Sequence, residues 1–333
     1  MRGVRGGGRD MRPDARHGGG CGSDDASRRN APRRLAAVVV LALSLLVAGC
    51  GASASPSLAP GTVRVVPTTT ILADLVRQVG GTHVSVTSLV PRGGDVHTFD
   101  PRPSSLRAVA GADLVIRNGL GLDDWLAALV RNTGTTATVL AVAENLPGVT
   151  YLTGTGAEGT VNPHVWLNPM YAAAMVDRIA AVLVGIDPAD GAAFTAGAAA
   201  YRAVLVALDA DARARLAAIP AADRTVIAFH DAFPYFAAAF GLVIDGTIVA
   251  SPGQDPSAGT MARLVDVVRA DHVRAIFSEA QFNDELARTI AAETGVKVVS
   301  DLLDDTVGDA PLDSYAAIMR WDVDRVLEAL SGP

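Results

Sequence analysis

Three histidines and one aspartate recur in the sequence at nearly equal intervals. His97, His164, His230 and Asp301 are separated by 67, 66 and 71 residues, and each lies at or after the end of a different strand-like segment. The carboxyl ends of the strands in an open α/β sheet converge on one crevice. Three neutral imidazoles and one carboxylate meeting there would form a four-coordinate cation site, and Zn²⁺ fits that set.

The local sequence explains how these histidines could be held in place. His97 follows a Gly93-Gly94 turn, and His230 ends the segment TVIAFH. His164 lies in NPHVWLNPM, where proline on both sides keeps the chain out of regular helix. A lone loop histidine is more often a hydrogen-bonded structural residue than a ligand, so spacing alone leaves that alternative open.

Acidic residues beside these positions have two interpretations. Asp95, Asp100 and Asp231 flank the candidate ligands, and Glu279 stands at the end of a predicted strand. They could orient the imidazoles by hydrogen bonding, or they could be ordinary loop residues. The adjacent pair Asp304-Asp305 is interpreted as a solvated turn.

The remaining residues of possible interest have ordinary interpretations. Trp166 is expected to form a wall of the crevice. His83 in a GGTH turn and His272 at a helix end are expected to be surface residues.

The elements that must position these residues alternate along the chain. Short β-rich runs begin near residues 62, 84, 113 and 136, and again near 225, 242, 273 and 296. Segments with helical spacing of apolar residues lie between them, which predicts parallel sheets covered by helices. We therefore predict an α/β fold with two similar lobes, at residues 62–186 and 220–333, and a metal site in the cleft between them.

One long alanine-rich helix is predicted over residues 187–219 as the connection between the lobes. Asp187 can cap it, Pro188 suits its first turn, and Pro220 stops it. The alternative is two helices broken near Gly191 or Gly197.

The amino terminus is predicted to be a signal peptide over residues 1–49. An arginine-rich stretch precedes 15 mostly apolar residues, Leu35 to Gly49, and translation could begin at Met11 or later. The ending LVAGC resembles a bacterial lipobox, so we expect lipid on Cys50 and a flexible tether over residues 50–61. The alternative is a short membrane anchor with an incidental cysteine.

The composition of the processed chain excludes several classes of function. Without the nine basic and four acidic residues of 1–49, 19 basic residues face 31 acidic ones, a net charge of −12. That balance argues against nucleic acid as a partner. Of the two cysteines only Cys50 remains, which excludes a disulfide and thiolate metal ligands.

Several segments together resemble the solute-binding lipoproteins of bacterial ABC importers for zinc and manganese. They are GGDVHTFDPRPS, NPHVWLNP, FHDAF, FSEAQF and the late VVSDLL with the helix after it, and they cover residues 62 to 330 in order. The resemblance implies one metal ion between two lobes, bound by His97, His164, His230 and Asp301 with two ligands from each lobe. It also implies a membrane permease as partner, no enzymatic activity, no organic cofactor, a monomer, and a position outside the cell membrane.

The identity of the metal follows from details of the same resemblance. Manganese-selective members usually have glutamate where this chain has His230, so Zn²⁺ is predicted and Mn²⁺ is the alternative. Many zinc members carry a histidine-rich loop before the second ligand, whereas YLTGTGAEGTVNP has no histidine. From other classes, a metallohydrolase with Glu279 as base and an adhesin stabilised by metal remain alternatives.

Overall fold

The structure is a computed structural model that describes residues 61–154 and 160–331. The predicted signal peptide, Cys50 and the tether up to residue 60 lie outside the described residues, so those predictions stay open.

The first sheet is parallel and is built from the first four predicted strands. Its strands are β1 (Val63–Pro67), β2 (Val84–Val86), β3 (Leu114–Arg117) and β4 (Thr138–Ala141). The order is β2-β1-β3-β4, and Val65 pairs with Val86 on one side and Leu114 on the other. The helices of this lobe are α1 (Thr70–Gly80), α2 (Pro103–Ala110), α3 (Trp125–Thr133) and α4 (Pro169–Ile186).

A single long helix follows, as predicted, although it starts later than expected. Pro188–Asp190 form a short 3₁₀ turn, and α5 runs without a break over Gly191–Leu216. Its 26 residues span roughly 39 Å at 1.5 Å per residue. Helix α5 contacts α1 and α4 of the first lobe, and two helices of the second lobe also pack on it.

Gly197 explains why the glycines of α5 do not break it. A Cβ atom at this position would lie 2.3 Å from the carbonyl oxygen of Val79, which is closer than atoms can approach. The glycine therefore allows α5 to lie directly against the end of α1.

The second sheet repeats the first. Its strands are β5 (Thr225–Ala228), β6 (Val243–Thr247), β7 (Ala275–Glu279) and β8 (Lys297–Leu302), all parallel in the order β6-β5-β7-β8. Its helices are α6 (Pro234–Phe240), α7 (Ala258–Ala270), α8 (Glu285–Thr294) and α9 (Tyr315–Leu330). The shared strand order confirms two similar α/β lobes.

The central strands are apolar because helices cover both faces of each sheet. Leu114 and Ile116 of β3 and Ile276 and Phe277 of β7 have no exposed surface. Helices α4 and Pro188–Leu216 are long and apolar enough to cross a membrane by length and composition. Their buried side chains instead belong to the hydrophobic core.

The strand order also locates the crevice. In each sheet the second strand pairs with one side of the first strand, and the third strand pairs with the other side. The loops after the strands diverge at that point, which is where open α/β sheets bind ligands.

Candidate metal centre

Four side chains from both lobes meet at the carboxyl ends of the strands. His97 lies in the loop after β2, and His164 directly precedes a 3₁₀ turn at Val165–Leu167 that leads into α4. His230 comes two residues after β5, and Asp305 comes three residues after β8. Each of the four offers one ligand atom within 4.8 Å of the others.

The separations are those of ligands around one ion. The two Nε2 atoms of His97 and His164 lie 3.4 Å apart. Asp305 places Oδ2 3.3 Å from His97 Nε2 and Oδ1 3.7 Å from His164 Nε2. Ligands bound at about 2.1 Å around a tetrahedral ion lie about 3.4 Å apart. These three residues are therefore spaced like ligands in a zinc coordination shell, and the ligand atom of His230 lies within 4.8 Å of theirs.

The burial of the cluster favours an ion as its occupant. His164 and Asp305 are each 2% exposed, and His230 has no exposed surface. Both ring nitrogens of His230 and both carboxylate oxygens of Asp305 lack a hydrogen-bond partner. Buried polar atoms nearly always have hydrogen-bond partners in folded proteins. A group of buried, unpartnered nitrogen and oxygen atoms that face one another therefore indicates a cation site.

Asp301, the predicted fourth ligand, is not brought to the histidines. It lies inside β8, which continues through Leu302 and is the edge strand of its sheet. Its carboxylate is 3.1 Å from Arg325 Nε of α9, and its side chain is 40% exposed. The aspartate at the cluster is Asp305, because the strand ends later than the sequence suggested.

The prediction of a solvated turn at Asp304-Asp305 is therefore wrong. Asp304 has no exposed surface, and its Oδ2 lies 3.4 Å from His230 Nε2. Its other oxygen accepts a 2.6 Å hydrogen bond from Gln281 Nε2. Neither residue was predicted as part of the site, although the apolar residues Leu303 and Val307 around them indicate a buried loop.

The NPHVWLNP segment fixes His164 through its first asparagine. Asn162 Oδ1 accepts from the backbone N–H of His164 at 3.0 Å and lies 3.1 Å from Nδ1 of the same ring. Asn162 Nδ2 donates to the backbone oxygen of Asp231 at 2.6 Å, beside His230. With Nδ1–H donating to Asn162, the lone pair of Nε2 points to the cluster.

Three of the four predicted acidic neighbours also lie beside the histidines, whereas Asp100 is exposed. Glu279 Oε1 is 2.9 Å from His230 Nδ1, without the alignment of a hydrogen bond, and is fully buried at the end of β7. Asp95 accepts from the backbone N–H of His97 at 2.8 Å. Asp231 contributes its backbone oxygen through the bond from Asn162.

The two histidines that were expected to lie on the surface take no part in the cluster. His83 Nδ1 pairs with Asp190 at 2.7 Å, and His272 is exposed.

The electrostatics of the cluster suit metal binding. Burial lowers the pKa of His230 and lowers that of His164 well below the usual range, so both rings are neutral near pH 7. Burial also acts to lower the pKa of His97, but the Asp305 carboxylate, with Oδ2 3.3 Å from Nε2, outweighs burial and leaves that pKa raised. Burial alone would raise the pKa of Asp305, but the three histidines reverse this and lower it. The cluster thus holds two neutral imidazoles, one imidazole with a raised pKa (His97) and one carboxylate.

Trp166 does more than form a wall of the crevice. Its Nε1–H donates to the backbone oxygen of Asp304 at 2.7 Å, and its own backbone oxygen accepts from Tyr315 Oη at 2.5 Å. Trp166 follows His164 in the first lobe, whereas Asp304 and Tyr315 belong to the second. Fold and site together define a two-lobed protein with a candidate metal centre between its lobes.

Known proteins share this fold and sequence pattern. The structure is similar to the periplasmic zinc binding protein TroA from Treponema pallidum, with a TM-score of 0.75 and 26% identity over 81% of this chain and 99% of that one. The manganese-binding lipoprotein MntA of Halalkalibacterium halodurans is 30% identical over 88% of this chain and 97% of its own length. The iron ABC transporter substrate-binding lipoprotein MtsA of Streptococcus pyogenes is 27% identical over 87% and 96%.

The family described as zinc-uptake complex component A, periplasmic (ZnuA), matches residues 65–329, and the chain belongs to it. The protein is thus the metal-binding, substrate-binding component of an ABC importer, and a membrane permease is the implied partner. The family consists of solute-binding proteins rather than enzymes, so the metallohydrolase alternative is not favoured.

Proposed function

We propose that this protein captures Zn²⁺ outside the cytoplasm and delivers it to the permease. The ion would be bound by His97, His164, His230 and Asp305. The observation that carries this proposal is the convergence of their ligand atoms within 4.8 Å of one another. Three nitrogens and one oxygen at this spacing suit the tetrahedral preference of Zn²⁺.

The arrangement supports transport because it surrounds the ion. Each lobe supplies two of the four ligands, and three of the four are buried. Such a shell leaves no open position at which water could be activated. Release would then require that the lobes or the loops after β2 and β8 move when the permease binds.

The experiment is a competition titration of metal-stripped protein with Zn²⁺ and Mn²⁺ against a chelator of known affinity. We expect both ions to bind at one site per chain, with Zn²⁺ bound more tightly, as the usual order of divalent affinities requires. No binding of either ion would contradict a receptor function. Tighter binding of Mn²⁺ would overturn the zinc assignment alone.

A second measurement separates import from adhesion. A strain that lacks this protein should accumulate less zinc from zinc-poor medium and should recover when the wild-type chain is restored. Normal zinc content together with reduced surface attachment would favour the adhesin alternative.

A manganese receptor is the second candidate. It is supported by the manganese-binding name of a relative at 30% identity. The carboxylate of Asp305 in the ligand set is also a ligand type that suits Mn²⁺.

Anchoring and oligomeric state complete the proposal. Lipid attached at Cys50 would hold the protein at the outer face of the cell membrane, where it would act as a monomer. Fatty-acid labelling of the wild type and of Cys50→Ala tests the anchor, and labelling that persists in the variant would contradict it. Light scattering of the detergent-solubilised protein tests the monomer, which a dimer mass would contradict.

A further inference from the structure

Two neighbouring threonines at the start of α1 have different partners. Thr69 Oγ1 caps the helix by accepting from the backbone N–H of Leu72 at 3.2 Å. Thr70 Oγ1 instead accepts from the backbone N–H of Val307, in the second lobe, at 3.0 Å. Both threonine side chains are buried. The hydroxyl group of Thr70 therefore links the first helix to the loop after β8 that carries Asp305.

A third threonine extends this link. The Oγ1 atoms of Thr70 and Thr306 lie 3.0 Å apart. Thr306 has one hydroxyl hydrogen and donates it to the backbone oxygen of Val307, so the hydrogen between the two threonines comes from Thr70. Thr306 Oγ1 also accepts from the backbone N–H of Gly93 at 3.1 Å. Thr70 thus donates to Thr306 and accepts from Val307, and both bonds need its hydroxyl group.

These hydrogen bonds connect the loops that carry two of the proposed ligands. Thr306 directly follows Asp305, and Gly93 belongs to the turn before His97. The bond between Gly93 and Thr306 joins the same two loops as the contact between the ligand atoms. That contact places His97 Nε2 3.3 Å from Asp305 Oδ2. A shift of the Thr306 side chain would therefore change the separation of these two ligand atoms.

The first lobe holds the loop on both sides of Asp305. Before this residue, the backbone oxygen of Asp304 accepts from Trp166 Nε1 at 2.7 Å. After it, the backbone N–H of Val307 donates to Thr70. Asp304 and Val307 are almost fully buried. Because a buried donor or acceptor without a partner is costly, these bonds keep the loop in place whether or not an ion is bound.

We propose that Thr70 is a positioning residue of the metal site, which holds Asp305 against His97 before the ion arrives. It acts through its bonds to Thr306 and Val307 and does not touch the ion itself. This inference rests on the proposed function, because Asp305 is a ligand only in that proposal. A ligand that is already in place costs less ordering on binding, so the ion binds more tightly and leaves more slowly.

The test compares the zinc affinity of wild type, Thr70→Val, Thr70→Ser and Thr69→Val as metal-stripped full chains. Valine keeps the shape of threonine without the hydroxyl group, whereas serine keeps the hydroxyl group. We expect Thr70→Val to bind Zn²⁺ about tenfold more weakly and to release it faster to excess chelator, and Thr70→Ser to stay within about threefold of wild type. Thr69→Val removes the cap of the same helix, so it should lower the melting temperature and leave zinc affinity within about twofold.

A double-mutant cycle asks whether Thr70 acts through Asp305. In the Asp305→Asn background, adding Thr70→Val should cost less than about twofold in zinc affinity, because the ligand that Thr70 positions is already impaired. A merely structural role of Thr70 would instead give the same loss in both backgrounds. Thr306→Val breaks the same pair of threonines from the other side and should reproduce the loss. It takes the place of Thr70→Val if circular dichroism shows that variant to be unfolded.

The outcomes separate this inference from the proposed function. Wild-type zinc affinity in Thr70→Val, or an equal loss of affinity in Thr70→Ser or in Thr69→Val, would overturn the role of Thr70 and leave the receptor function standing. Equal losses from Thr70→Val with and without Asp305→Asn would do the same. A wild type that binds no Zn²⁺ would remove the receptor function and this inference with it.

Discussion

Trp166 of the first lobe donates its indole N–H to the backbone oxygen of Asp304 in the second lobe, at 2.7 Å. This bond joins the segment that carries His164 to the turn that carries Asp305. Because these two side chains face each other across the cleft, the bond fixes the distance between ligands that are distant in the sequence.

Replacing Trp166 by phenylalanine should weaken metal binding by removing this bond while keeping a ring in place. We expect about a tenfold loss of Zn²⁺ affinity. The buried oxygen of Asp304 would lose its partner, so the free energy of unfolding should also fall by about 1–3 kcal/mol. Isothermal titration and denaturant unfolding measure the two effects.

Trp321→Phe is the matched control. Trp321 Nε1 donates to the backbone oxygen of Asp301 at 2.8 Å, so the same chemical change is made away from the cluster. It should lower stability and leave zinc affinity unchanged. Equal losses of affinity in the two variants would show that the Trp166 bond has no particular role at the site.

The two asparagines of NPHVWLNP should behave differently when replaced by alanine. Asn162 orients the ring of His164, so Asn162→Ala should lower zinc affinity by about 10–100-fold. Asn168 caps α4 by accepting from the backbone N–H of Met170 at 2.9 Å. Asn168→Ala should cost about 1 kcal/mol of stability with little change in affinity. Titration and thermal unfolding of both variants check this, and the reverse pattern would contradict it.

As the pH is lowered, zinc affinity should begin to fall at a pH that is still above 6.5. The pKa of His97 is raised above its ordinary value of 6.5, and the proton on this ring competes with the ion. Below the raised pKa, affinity should fall about tenfold for each pH unit. His164 and His230 have lowered pKa values and should compete only at lower pH. Zinc affinity that stays constant from pH 8 to pH 6 would be inconsistent with this role for His97.

In the metal-free protein, His97 should contribute more stability as the pH is lowered, whereas zinc affinity should fall. A pKa that is raised in the folded state adds stability below the unfolded pKa of about 6.5, and this stability is lost as pH rises through the folded value. Thermal unfolding of stripped wild type and His97→Gln across this range measures the difference, which should shrink as the pH rises.

Two helix glycines test the packing of the lobes. Gly197→Ala would place a methyl group 2.3 Å from the oxygen of Val79, so α5 must shift, and we expect a loss of about 1–3 kcal/mol. Gly185 in α4 has nothing within 4 Å of such a methyl group, so Gly185→Ala should add about 0.4–1 kcal/mol. Denaturant unfolding of both variants decides this, and a neutral Gly197→Ala would contradict the close approach of α5 and α1.

Much of the fold could be predicted because its signals are local. Apolar strand runs alternate with helical spacing, and parallel sheets follow from that alternation. The three histidines could be predicted as site residues because each is accompanied by a local signal. These signals are the glycine turn before His97, the prolines around His164 and the strand that precedes His230.

The fourth position of the site could not be predicted in the same way. Asp301 was expected to follow the last strand, but β8 continues through Leu302, and strand boundaries are poorly defined by local sequence. Adjacent aspartates usually face solvent, and only tertiary packing buries Asp304 and Asp305. The hydrogen bond from Trp166 to Asp304 joins residues that are 138 positions apart in the sequence, so no local sequence pattern predicts it.

The most direct test of the account compares the zinc affinity of Asp305→Ala with that of Asp301→Ala. Asp301 pairs with Arg325 on a half-exposed surface, so its replacement should leave zinc affinity within about twofold of wild type. Asp305→Ala should reduce the affinity by about a hundredfold or more, since it removes the only charged ligand of the proposed set. Loss of zinc binding in Asp301→Ala, with binding retained in Asp305→Ala, would contradict the site described here.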